Sequence, residues 1–209
     1  MRKKLLSIAL AIVVILAALP YFSTPSFAAL SVSEVKAQIT DTYQKARSRN
    51  SGNSFDGWCG AYVGQQLQIL GINTTLVAPN GNGHYDAYTG LSETTGGYKV
   101  TCYPASSYSI TSALNAITAN GNAYNILIGF EKGYQGNPLG HCLFIHAIID
   151  GTVYYSESFA FNSYGEGSVI AQSISWVDSF YARNGYTLDG VVYFSKSAGV
   201  VRDEYPSYA

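Results

Sequence analysis

An α+β fold, with helices leading into an antiparallel sheet, is what this sequence predicts, and three observations carry the expectation. Short apolar runs near residues 100, 127, 145, 155 and 192 have strand length and are punctuated by Gly- and Asp-containing turns. Ahead of them, residues 31–49 and 59–70 repeat apolar side chains at helical spacing. No strand–helix–strand rhythm runs through the chain, so a parallel doubly wound sheet is not expected. The helix at 59–70 should instead pack on the antiparallel sheet.

In chain order, Arg2, Lys3 and Lys4 precede an apolar run over residues 5–18, and small residues follow at Ser26, Ala28 and Ala29. This is the pattern of a secretory signal peptide, residues 1–29, cleaved near Ala28 or Ala29. A retained anchor is the alternative, because the run to Phe22 nearly reaches the ~18 apolar residues of a membrane span, although Pro20 interrupts it. Residues 30–209 then make a single domain. Residues 31–49 form the first helix: Ser31 and Glu34 match a capping box, and Val32, Val35, Ile39, Tyr43 and Ala46 make one apolar stripe. A Ser/Gly/Asn-rich loop leads to the second helix, with Asp56 as a cap, Ala61, Val63, Leu67 and Leu70 as its apolar face, and Gly71 as its stop.

A long polar stretch follows, and His84 inside it reads as a loop residue, with catalysis as the alternative. A strand over 98–103 precedes a Ser109-capped helix ending at Gly121, a strand over 123–130 and a Gly-rich loop at 133–140. Residues 141–158 read as a hairpin turning at Asp150-Gly151. A strand at 169–173, a short helix at 176–182 stopped by Gly185, and a strand at 191–194 complete the chain. There is no internal repeat and no metal-ligand cluster of usual spacing, so neither metal nor cofactor is expected.

Removing residues 1–29 takes three of the 12 basic residues and none of the 13 acidic ones, leaving a net charge of −4 with histidines neutral. Nucleic acid is therefore excluded as an expected partner. Few charges, 21 glycines and 18 tyrosines suit an exported, monomeric domain, secreted or held at the cell surface, whose polar aromatic exterior binds glycans or peptides. No membrane contact is expected once the signal is removed.

The three cysteines narrow the search for chemistry. An odd number in an exported chain leaves one thiol unpaired or pairs it with another molecule. Cys102 and Cys142 lie in strand-like runs and could pair if those strands were neighbours; all three could also stay reduced. Cys59 opens a helix, where unpaired backbone N–H groups and the positive end of the helix dipole favour thiolate over thiol. The alternative is a small apolar residue packed under a loop.

A helix opening on Cys59, a later strand opening on Gly140-His141 and a carboxylate, Glu157, on the next strand together resemble the papain-like cysteine peptidases and amidases over roughly residues 50–195. The chain is similar to CHAP amidase/endopeptidases of bacterial cell-wall turnover, in which Cys-x-x-Tyr-Val begins the helix and Gly-His precedes a strand whose hairpin mate carries Ser-Glu. Here those features are Cys59 to Val63, Gly140-His141 and Ser156-Glu157. The Cys59-Gly60 pair is equally similar to peptidases that trim double-glycine leaders. The resemblance implies a papain-like fold and an exported hydrolase of peptide or amide bonds, acting on a peptide or peptidoglycan substrate. Cys59 would be the nucleophile, His141 the general base and acid, and Glu157 the group orienting His141. No clear glutamine precedes the cysteine to complete an oxyanion hole, and Asn53 is the nearest substitute. A transglutaminase-like acyl transferase and a catalytically silent binding module are the alternatives.

The choice of histidine turns on hairpin register. A two-residue Asp150-Gly151 turn sets Ile149 opposite Thr152 and Phe144 opposite Glu157, which puts His146 on the face of Glu157. A three-residue loop sets Leu143 opposite Glu157 and puts His141 there instead. The resemblance favours His141, directly after glycine at the strand's start. His146, among Ile145, Ala147 and Ile148, reads as a buried structural residue.

Overall fold

The computed structural model describes residues 30–55, 58–72, 85–94, 96–131, 133–134, 137–138, 140–160 and 163–196. The signal-like segment 1–29, Asp56 and His84 lie outside the described residues. From Ser31 onward the described chain belongs to one compact unit. It is an α+β domain in which four helices pack on a six-stranded antiparallel sheet.

Helix α1 spans Val32–Arg49 and opens on the expected capping box: the Glu34 N–H donates to Ser31 Oγ at 3.3 Å, and the Ser31 N–H donates to Glu34 Oε2 at 2.7 Å. Its buried stripe is Val35, Ile39, Thr42 and Ala46, with Val32 and Tyr43 only half-buried at its margins. Helix α2, Cys59–Ile69, packs on the sheet and against α1, and buries Gly60, Tyr62, Val63, Gly64, Gln66 and Leu67. Its N-cap position is held by Trp58, not Asp56, and no side chain caps the first turn. Gly71, at φ 70°, ends the helix as expected.

Strands β1 (Tyr98–Pro104), β2 (Ala123–Glu131), β5 (His141–Ile149), β6 (Thr152–Tyr155), β7 (Ile170–Ser173) and β8 (Thr187–Lys196) run in the order β1-β8-β2-β5-β6-β7, every pair antiparallel. Two short strands, β3 (Gly133–Tyr134) and β4 (Asn137–Pro138), form a separate hairpin inside the Gly-rich loop. Helices α3 (Ile110–Thr118) and α4 (Ile174–Arg183) cover one face of the sheet, packing Leu114, Val177 and Tyr181 onto Ile126, Ile128, Leu143, Ile145 and Tyr155. Helix α2 and the 3₁₀ turn Tyr85–Tyr88 cover the other, over Leu127, Cys142, Phe144 and Val192. The central strands are therefore dry on both sides, which is why β5 is buried along its whole length.

Two expectations about β5 need correction. Strands β1 and β5 are separated by β8 and β2, so Cys102 and Cys142 are not neighbours; all three cysteines are free. The hairpin register is neither of the two anticipated. Asp150 and Gly151, at φ 48° and 76°, do make a two-residue turn, and Ile149 pairs with Thr152, Ile148 with Val153 and Ala147 with Tyr154. The ladder then slips at His146, so that Ile145 pairs with Tyr155. A bulge adds one unpaired residue and reverses the side-chain alternation beyond it. That reversal is visible in the core, where Leu143, Ile145 and Ile148 all face α3 and α4. It returns His141 to the face that Glu157 also occupies, despite the short turn.

Candidate active site

Cys59 is the first residue of α2 and half-buried, with Trp58 standing 64 % exposed beside it. Because Trp58 supplies no cap, the N–H groups of the first turn are left to the sulfur and to whatever approaches it. The thiol meets the start of β5: its Sγ lies 4.0 Å from the Gly140 carbonyl oxygen, and it is hydrogen-bonded to the side chains of Cys142 and His141. Cys59 and Cys142 pack on the α2 face of the sheet, while His141 leaves the strand toward the α4 face, so thiol and imidazole meet around the strand's N-terminal end.

His141 is nearly buried and held in an aromatic cage. Its ring stacks on Phe130 and Tyr181 at centroid distances of 5.9 and 5.8 Å, and Phe159 and Tyr186 approach at 5.5 and 5.3 Å. Its Nε2 lies 3.4 Å from Glu157 Oε2, an ion-pair contact not aligned as a hydrogen bond. With Nε2 turned to the carboxylate, Nδ1 is the nitrogen left for the sulfur. Glu157 is 2 % exposed. Its other carboxylate oxygen accepts a short hydrogen bond from the Tyr181 hydroxyl, and its carbonyl accepts from the Gly167 N–H at 2.9 Å. Burial holds the Tyr181 phenol well above its ordinary pKa, so it stays a donor.

The electrostatics of this group follow from that packing. The hydrogen bond from Cys142 to the Cys59 sulfur outweighs the burial that opposes ionisation, and with the help of His141 it pulls the Cys59 thiol down to about pH 4. Burial works against a charge on His141, but the Glu157 carboxylate and the Cys59 sulfur together raise its pKa to about 10. Between those values the site holds a thiolate and an imidazolium side by side. Aromatic faces around the ring favour the cation and keep water from screening the pair.

Cys59, His141 and Glu157 are thus brought together. His146 is not among them: it is fully buried in the bulge, and burial lowers its pKa to about 3, leaving it neutral. Asn53 sits in the exposed turn after α1, where its N–H donates to the Asn50 carbonyl at 3.0 Å and its own carbonyl accepts from Asn50 Nδ2 at 3.3 Å. No hydrogen bond joins its side chain to Cys59, His141 or Glu157 among the described residues. Cys142 and Tyr181 were not anticipated. Cys142 follows His141 directly, but on a strand the two should face opposite ways, and only the position of His141 at the strand's end lets both reach Cys59. Tyr181 lies at the end of α4, and nothing local ties it to Glu157, 24 residues earlier.

Among the described residues no group of three or more His, Cys, Asp or Glu side chains is arranged to hold a metal ion. No helix of the described residues is long and apolar enough to cross a membrane. No family model, curated protein or solved structure matches the chain.

Proposed function

We propose that this protein is an exported cysteine-dependent hydrolase of peptide or amide bonds, papain-like in fold and mechanism, with bacterial cell-wall peptide as a substrate. The observation that carries the reading is the buried thiolate–imidazolium pair at the start of a helix, backed by a carboxylate. Cys59 attacks the carbonyl carbon as a thiolate, displacing the amine and forming a thioester. His141, charged before attack, gives its proton to the departing amine and then takes one from the water that cleaves the thioester. Glu157 fixes the ring and compensates its charge, and Tyr181 fixes Glu157. Negative charge on the tetrahedral oxygen falls against the Cys59 N–H and the open first turn of α2, where the helix dipole favours it.

The test is a screen of purified cell wall, casein and leader peptides with the wild-type protein and with Cys59→Ala. Cleavage by the wild type is expected, with a loss of about 10³-fold or more in Cys59→Ala and His141→Ala and a smaller loss in Glu157→Gln. Amine incorporation without hydrolysis would turn the assignment to an acyl transferase. Wild-type Cys59 that alkylates no faster at pH 6 than a free thiol would sink the enzyme reading altogether.

A further inference from the structure

A second buried polar group, on the opposite face of the sheet from Glu157, takes no part in that chemistry. Tyr62 and Gln66 project from α2, one and two turns after Cys59; His146 comes from the bulge of β5; Ser156 immediately precedes Glu157. The Tyr62 hydroxyl and Ser156 Oγ are 2.7 Å apart, Gln66 Nε2 donates to Ser156 Oγ at 3.3 Å, and the same amide lies 3.4 Å from His146 Nε2. None of the four is more than 2 % exposed. Each element that carries a member of the Cys59–His141–Glu157 group therefore also carries a member of this cluster, or lies next to one.

We propose that the Tyr62–Gln66–His146–Ser156 cluster is the positioning device of the active site, seating the β5 bulge against the nucleophile helix so that His141 and Glu157 share a face. The proposal rests on the hydrolase reading above for its functional meaning, but its geometry is separate. With a two-residue turn and no bulge, Phe144 would stand opposite Glu157 and His141 would point to the other side of the sheet. The bulge at His146 is the one irregularity that prevents this. A bulge forfeits ladder pairing, and a polar ring in a dry core is costly unless it is hydrogen-bonded, so both need compensation. Gln66 supplies it only in the observed register: a slip of one residue carries the His146 ring to the opposite face, away from α2. Buried polar residues fix register in the same way elsewhere, favouring one alignment at some cost in stability. The members are neutral, so the cluster acts on the site by geometry rather than by charge.

The experiment compares wild type with Tyr62→Phe, Ser156→Ala and His146→Leu, and with Thr111→Val as a control that breaks a hydroxyl bond to Asp178 away from the cluster. Three quantities are measured: the rate of Cys59 alkylation by iodoacetamide against pH, the NMR titration of the His141 ring, and the thermal midpoint. In the cluster variants the His141 titration should fall back toward its ordinary value, and alkylation at pH 6 should slow by about tenfold or more, one unit of pKa being tenfold in thiolate. The control should move the midpoint alone. Should His146→Leu fail to fold, Tyr62→Phe, which removes a single oxygen, decides the matter. Folded cluster variants with the wild-type His141 titration and pH profile would overturn the proposal. The titration reports the His141–Glu157 geometry whether or not the thiol is reactive, so slow alkylation of the wild type would count against the hydrolase reading and not against this one.

Discussion

A second thiol against a nucleophilic thiol sets how easily the nucleophile ionises. Cys142 is fully buried, and burial beside Cys59 raises its pKa, so it remains the protonated partner and donates to the Cys59 sulfur. Replacing Cys142 with alanine should therefore shift the acid limb of Cys59 alkylation upward by about one unit or more, whereas serine, which keeps a donor, should shift it less. In the wild type that limb has a defined sign. Thiolate appears as pH rises through about 4, and imidazolium is lost as pH rises through about 10, so hydrolysis should hold a plateau between the two and fall on either side. Both midpoints belong to the coupled pair rather than to one residue. A rate that climbs steadily to pH 9, as a free thiol's does, would contradict the ion pair. Sequence position alone pointed to Cys59, because a helix start can be recognised from its flanking residues. Tyr181 and Cys142 could not be found that way, since neither spacing nor residue type links them to the site.

At the scale of elements, the hairpin between β5 and β6 and the seat of Tyr85 do most to shape the site. Tyr85 lies flat across β2 and β8, over two glycines: a Cβ on Gly190 would fall 2.4 Å from its ring, and one on Gly129 would fall 2.9 Å from its own Cβ. The strand backbone on one side and the packed ring on the other leave little room to give. Gly190→Ala should thus destabilise the protein by about 1–3 kcal/mol, as overpacking in a dense core does, measured by denaturant unfolding. An unchanged midpoint would mean that Tyr85 moves aside freely. Helix identities and caps were legible in advance, because Ser31-x-x-Glu34 and Ser109 satisfy donors within their own helices. The bulge at His146 was not. A strand buried on both faces loses its alternation of apolar and polar residues, so nothing in residues 141–149 marks where the ladder slips.

At the scale of the whole molecule, β8 closes the fold by entering between β1 and β2, which joins strands nearly 100 residues apart in sequence. Export is the remaining expectation at this scale. N-terminal sequencing of the protein recovered from the medium should begin near Leu30, and recovery with residues 1–28 attached would favour an anchor.

By itself the sequence determined what is local: which runs are helices or strands, where they cap and turn, the antiparallel α+β class, and a cysteine at a helix start ahead of a Gly-His strand. These follow from hydrogen bonds and periodicities that close within a few residues. The tertiary structure alone decided the strand order, the freedom of all three cysteines, the bulge that selects His141 over His146, and the Cys142 and Tyr181 contacts to the site. Each of those depends on pairings across the sheet or between its faces, and the register that decides them is fixed by α2 packing on β5 rather than by either segment alone.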